Sequence, residues 1–208
     1  MISVWRELLL SAVSPLASGV SPLSVTGFRP PGEKSFRPRK TAAVLVPLLD
    51  MEEPEIVLTR RADHLPQHPG QVSFPGGAAE EGDSSAVQTA LREAFEEIGL
   101  PPEVTTPIGF LDRMDTVSDF RVLPVVALVK PPVFWRPDKR EVAEVFTVPL
   151  SVLLDEQQFV ARRVQRDGLE YTIWSLQYQG HNIWGATASM ILNLTRRMRA
   201  IHDQKAAL

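Results

Sequence analysis

Glu93, Glu96 and Glu97 stand close together, directly behind Arg92. On a helix, Glu93 and Glu97 are i,i+4 neighbours, and Glu93 and Glu96 are i,i+3 neighbours. Like charges at these spacings destabilise a helix by roughly 0.2–0.5 kcal/mol per pair. Acids near a helix C-terminus also oppose the macrodipole. A divalent cation reverses the sign of both costs. A set of carboxylates suits a hard ion, Mg²⁺ or Mn²⁺. The same pattern also describes a solvated acidic face. Gly76-Gly77 upstream tips the balance, because glycine lets the chain turn tightly enough for a main-chain carbonyl to join a metal's oxygen ligands. Arg92 either orients a glutamate or makes an ordinary surface ion pair worth about 0–1 kcal/mol.

The elements that must position these groups are legible. Residues 84–98 read as a helix, with Asp83, Ser84 and Ser85 as N-caps and Gly99 as the stop. Val87, Leu91, Ala94 and Ile98 line one face, and the three glutamates the other. Of 18 prolines, none falls in 76–100 or 150–208, so long regular elements fit there. Apolar, β-rich segments predict strands at Thr41–Leu49, Glu55–Arg61, 105–112, 121–129 and within Lys139–Val148. Ile56 and Leu58 face one way, Val57 and Thr59 the other. Phe159–Val164 and Tyr171–Ser175 flank Arg166-Asp167-Gly168, a hairpin signal. Residues 62–77 read as loop. A long helix is expected from Trp184 to about His202, and a short one at the start, where Val4, Leu8 and Leu9 recur at helical spacing. Residues 13–41 carry Pro15, Pro22, Pro30, Pro31 and Pro38 and predict an extended arm, its basic cluster Arg37-Pro38-Arg39-Lys40 solvated or in contact with phosphate. The expected organisation is an N-terminal helix and arm over 1–40, one α/β domain over 41–202 and a tail over 203–208.

Composition removes other chemistries. With no cysteine, a thiolate metal site, a disulfide framework and a cysteine nucleophile are excluded. A net charge of −3 argues against nucleic acid as partner, and Arg196-Arg197-Met198-Arg199 suits a helix C-terminus instead. No run of about 18 apolar residues predicts a membrane span, and the mixed charge of the first residues does not fit a leader. A cytoplasmic protein acting on a small molecule is expected.

Gly-Gly, a spaced acid, then Arg92-Glu93-Ala94-Phe95-Glu96-Glu97-Ile98-Gly99-Leu100 resembles the Nudix box. The resemblance implies the Nudix fold, a mixed β-sheet sandwiched between helices (α/β/α) with a loop-helix-loop metal site. It implies metal ligation by Glu93, Glu96, Glu97 and the Gly76 carbonyl, with Arg92 bracing the glutamates. Asp83 fills the box's acidic position, and Arg92 follows nine residues later instead of eight.

A second stretch, Leu58-Thr59-Arg60-Arg61-Ala62 through His64, His68, Gln71 and Phe74-Pro75-Gly76-Gly77, resembles the signature of the Nudix subgroup that cleaves coenzyme A. A box one residue longer is usual in that subgroup. Its anionic substrate explains Arg60, Arg61, His64, His68 and Gln71 as binding groups. The resemblance implies metal-dependent hydrolysis of the pyrophosphate of coenzyme A or its derivatives, giving 3′,5′-ADP and 4′-phosphopantetheine. The general base varies among these enzymes. Glu141 and Glu144 are distal candidates, and the Glu141-Val142 context favours Glu141. The alternatives are a Nudix pyrophosphatase for ADP-ribose or dinucleotides, a nucleotide-sensing module without catalysis, and a processor of nucleic-acid ends.

Overall fold

The structure, a computed structural model, describes residues 4–16, 26–27, 40–116, 118–166 and 168–207. In chain order the elements are α1 (Val4–Ala12), β1 (Thr26–Gly27), β2 (Lys40–Leu49), β3 (Glu55–Arg61), β4 (Val72–Ser73), β5 (Gly76–Ala78) and α2 (Ala86–Ile98). There follow β6 (Thr105–Phe110), β7 (Met114–Asp115), β8 (Phe120–Val129), β9 (Val142–Pro149), α3 (Leu150–Leu154), β10 (Phe159–Arg166), β11 (Leu169–Tyr178), β12 (His181–Trp184) and α4 (Gly185–Ala206).

β2 and β8 run parallel from Lys40–Phe120 to Leu49–Val129 and form the middle of a mixed sheet. Antiparallel partners flank them: β6 and β7 on β8, and β3 on β2, with β9 on β3. These central strands are apolar almost throughout because both faces of the sheet are covered. Ala43, Leu45, Val57, Val125 and Ala127 pack beneath α2, against Ala90, Ala94 and Ile98. Val46, Leu48, Ile56, Leu58 and Val126 pack on the other side, with Leu9 of α1, Leu150 and Leu153 of α3, and Ile191 and Leu194 of α4. The expected α/β/α sandwich results. A second sheet, β10-β11-β12, adds Leu176 and Ile183 to the α4 side. Its first hairpin forms where Arg166-Asp167-Gly168 predicts it, although Asp167 lies outside the described residues.

The main sheet splits where the site forms. β2 and β3 pair only at Leu48–Ile56 and Leu49–Glu55, then diverge. Residues 72–78 fill the gap: β4 pairs with β3 at Thr59 and Arg60, and β5 pairs with β2 over Ala42–Val44. The sequence reading treats 62–77 as loop. The two short strands exist because the edges of the split present backbone groups that must be satisfied. The split also explains Pro47 in a central strand. Leu45 N donates to Pro75 O at 2.8 Å, so the nitrogen of Pro47, two residues on, points the same way, into the gap between β5 and β3.

α1 packs on α4. Arg197 donates to Ala12 O at 3.0 Å and to Asp112 at 2.9 Å, and Lys205 pairs with Glu7. Trp5, Leu8, Leu9 and Ala12 make the contact, while Val4, part of that face by spacing, stays exposed in the first turn. α4 runs on to Ala206, beyond the expected His202, because Asp203-Gln204-Lys205-Ala206 contains no helix breaker and Lys205 finds a partner in α1. Residues 17–25 and 28–39 lie outside the described residues, and with them most of the expected arm and Arg37-Pro38-Arg39. Among the described residues no helix is long and apolar enough to cross a membrane.

Candidate active site

α2 is fixed at both ends. Ser85 is the N-cap, its hydroxyl accepting from Gln88 N at 3.2 Å, and Ser84 donates to the Gln88 amide. At the other end Gly99, at φ 66°, donates to Phe95 O, and Leu100 N donates to Ala94 O. The last turn is also held from outside. Asp138 N donates to Glu97 O and Arg136 N to Ile98 O, both at 2.9 Å. These carbonyls would otherwise lack an intrahelical partner.

The three glutamates do not share one environment. Glu97 is only 6% exposed, beside Ile98 and against the Gly-Gly strand. The sequence places it on the polar face; the strand β5, wedged into the split sheet, covers it. Gly76 N donates to Glu97 Oε2 at 3.3 Å. Glu93 lies over Gly77 so closely that a Cβ there would stand 2.6 Å from the Glu93 Cδ. Glu96 is exposed and is held by Arg92 Nη1 at 3.0 Å.

Burial raises the Glu97 carboxyl to about 8, and the neighbouring Glu93 and Glu141 push it the same way. Burial likewise raises Glu93, against the pull of Arg92. One buried and one half-buried carboxylate that repel one another form a hard-oxygen donor set whose cost a divalent cation would remove. Glu93 and Glu97 therefore fit such an ion. Among the described residues no three His, Asp or Glu side chains already converge as a cage.

Arg92 is the hub beside them. It makes a two-pronged contact with Asp83, at 3.2 and 3.0 Å, and donates to Ala78 O at 3.1 Å. Its Nη1 stands 3.1 Å from Glu93 and 3.0 Å from Glu96. The guanidinium holds Asp83 well below the usual carboxylate range. The acid at the box's spaced position thus anchors the arginine, and the arginine joins the entry loop to the helix. Arg92→Lys keeps the charge but loses the planar fork. It is expected to lower turnover about 10-fold and the unfolding midpoint by a few degrees, read by steady-state kinetics and calorimetry.

The segment that caps α2 also carries the distal acids. Asp138 O accepts from Glu141 N at 2.9 Å and Val142 N at 2.8 Å, and Glu141 O accepts from Ala62 N at 2.8 Å. Arg140 grips the Asp138 carboxylate and lowers it to about 2. Glu141 thereby joins Glu93 and Glu97, whereas Glu144 sits apart, 3.7 Å from Arg60 and 3.6 Å from His181.

The expected substrate residues divide. Strand alternation and a bulge at Arg60/Arg61 send the two arginines to different sides. Arg61 faces Glu97, and its buried Nε–H finds no acceptor among the described residues. Arg60 and Gln71 instead border a cleft closed on its far side by His181, Asn182 and Trp184. His68 bonds Gln71 Oε1 at 3.1 Å, and His64 bonds Arg140 O at 3.1 Å, tying the two site loops together. Sequence reasoning does not single out His181 and Asn182. Their only local signal is the Gln179-Gly180 turn, and nothing in spacing connects them with Arg60.

Known proteins share this pattern. The family described as the NUDIX domain matches residues 39–167. An uncharacterized Nudix hydrolase NudL of Enterobacter sp. (strain 638) is 43% identical over 166 residues, covering 80% of this chain and 86% of its own. The NudL of Cronobacter sakazakii is 39% identical over 181 residues, covering 84% of this chain and 94% of its own. A Caenorhabditis elegans Ap4A hydrolase structure superposes with a TM-score of 0.50 at 16% identity, covering 80% of this chain and 99% of that one, a likeness of fold.

Proposed function

The chain belongs to the Nudix family and is a pyrophosphohydrolase, and we propose that the pyrophosphate it cleaves is that of coenzyme A or a derivative. The observation that carries this reading is the stretch from Leu58 to Gly77. It lays Arg61 beside Glu97 and places Arg60 and Gln71 at an adjacent cleft.

Nudix hydrolases generally use divalent metal ions. Here Glu93 and Glu97, with Glu96 and the Gly76 carbonyl, would hold Mg²⁺ or Mn²⁺. Such an ion supplies charge neutralisation for a phosphoanhydride, whose negative charge otherwise repels a nucleophile. Arg61 offers its guanidinium to a phosphate oxygen, a charge-assisted contact. Arg92 holds Glu93 in place from Asp83. A Glu141 carboxylate oxygen takes the proton of the attacking water. Attack on the pyrophosphate breaks one P–O bond and leaves 3′,5′-ADP and 4′-phosphopantetheine. His64 keeps the Glu141 loop against the substrate loop through Arg140 O.

The test is turnover of coenzyme A, dephospho-coenzyme A, ADP-ribose and NADH in Mg²⁺ or Mn²⁺, with products identified by mass. Coenzyme A is expected to lead in kcat/KM by at least about 10-fold, about 1.4 kcal/mol. Faster cleavage of ADP-ribose or NADH assigns the enzyme another leaving group. Ligand binding without hydrolysis would identify a sensing module.

A further inference from the structure

Arg60 and Arg61 are adjacent, yet only Arg61 faces the carboxylates. Arg60 lines a cleft of about 280 Å³ with Gln71, His181, Asn182 and Trp184. Pockets that enclose a whole small ligand run to roughly 300–1,000 Å³, so this one suits a single arm of a substrate.

Charge and hydrogen-bonding capacity say which arm. Arg60 stands 2.8 Å from Asp63 and 3.7 Å from Glu144. Two carboxylates against one guanidinium leave no surplus positive charge for a phosphate. His181 stands 3.6 Å from Glu144. Its ring is pinned flat on Phe146, with centroids 3.9 Å apart and planes at 8°. Both amides have their oxygen engaged. Gln71 Oε1 is engaged by His68, and Asn182 Oδ1 accepts from Gln177 Nε2 at 2.9 Å. Each is left with its NH₂, a donor seeking a carbonyl oxygen. Trp184, 39% exposed, adds an apolar surface at the same opening.

We propose that this cleft is a subsite for an uncharged chain bearing amide carbonyls. On the coenzyme A reading, on which this rests, that chain is the pantetheine arm. The phosphorylated adenosine arm stays outside, because Asp63 and Glu144 repel its 3′-phosphate. Asn182 and Trp184, from the second sheet, then help to decide which diphosphates the Nudix machinery accepts.

The two products test the assignment as competitive inhibitors of coenzyme A hydrolysis by the full chain. Asn182→Asp and Trp184→Ala are each expected to raise the inhibition constant of 4′-phosphopantetheine about 10-fold. That of 3′,5′-ADP should stay within about twofold, and Trp184→Phe should restore most of the loss. Asn182 is exposed on strand β12, two residues before Trp184, so its substitution tests the donor without touching the residue that starts α4. An equal rise for both products, a rise only for 3′,5′-ADP, or no rise in folded variants overturns the subsite. Absence of coenzyme A hydrolysis in the unaltered protein is a separate result and removes the substrate reading itself.

Discussion

Glu97→Gln is expected to lower Mg²⁺-dependent turnover by about 10²–10³-fold, roughly 3–4 kcal/mol of transition-state stabilisation, while the fold survives. The replacement has the same shape, and its amide oxygen can still accept from Gly76 N. What disappears is the ionisable oxygen proposed to hold the metal ion. A second measurement separates this from a merely structural role. Burial raises the Glu97 carboxyl from its usual 4.5 to about 8, so the folded protein holds a proton there that the unfolded chain has released. The native state binds the extra proton between those two values. Stability from this group is therefore fully present below about 4.5 and falls as the pH rises through 8, by on the order of a few kcal/mol without metal. Glutamine does not titrate. In urea unfolding with chelator, the unaltered protein should lose more stability than Glu97→Gln between pH 6 and pH 9. Turnover within twofold of the unaltered enzyme would show that Glu97 is not a ligand.

The paired glycines should respond to alanine in opposite ways. At Gly76 a Cβ would stand 2.5 Å from both Ala43 O and the Val44 Cα, and φ is +155°. Those neighbours are backbone of the central strand β2 and cannot retreat without breaking its pairing. Gly76→Ala is therefore expected to cost about 3 kcal/mol or more of stability, and turnover with it, as β5 is forced out of the split. At Gly77 the three atoms nearest to a Cβ would all belong to the carboxylate end of Glu93. That side chain can swing aside at little cost in folding energy. Gly77→Ala should keep its unfolding midpoint within a few degrees and lose about 10–100-fold in turnover, with weaker Mn²⁺ binding by calorimetry. Equal destabilisation by both substitutions would contradict this geometry.

The fold was largely legible because its segments are locally consistent. The apolar runs of β2, β3 and β8 are long, and α2 has both a serine cap and a glycine stop, so period and punctuation agree. The box is legible for a related reason. Its residues lie within one loop and one helix, where sequence spacing is spatial spacing.

Residue order and spacing settle which groups sit on α2, that Gly76-Gly77 precede them, and that their oxygens are of the kind a hard cation prefers. How they differ depends on the packing of distant segments. Glu97 is buried and Glu96 is held outward because β5 enters a split in the sheet on one side and Arg92 reaches Asp83 on the other. Arg60 and Arg61, identical in type, part company because a strand sends neighbours to opposite faces. Glu141 rather than Glu144 reaches the carboxylates because the unpaired carbonyls ending α2 draw in Arg136 and Asp138. The physical reason is common to all three. Local spacing fixes what neighbours on one element can share, whereas burial and repulsion depend on which distant segment the sheet brings to lie against them.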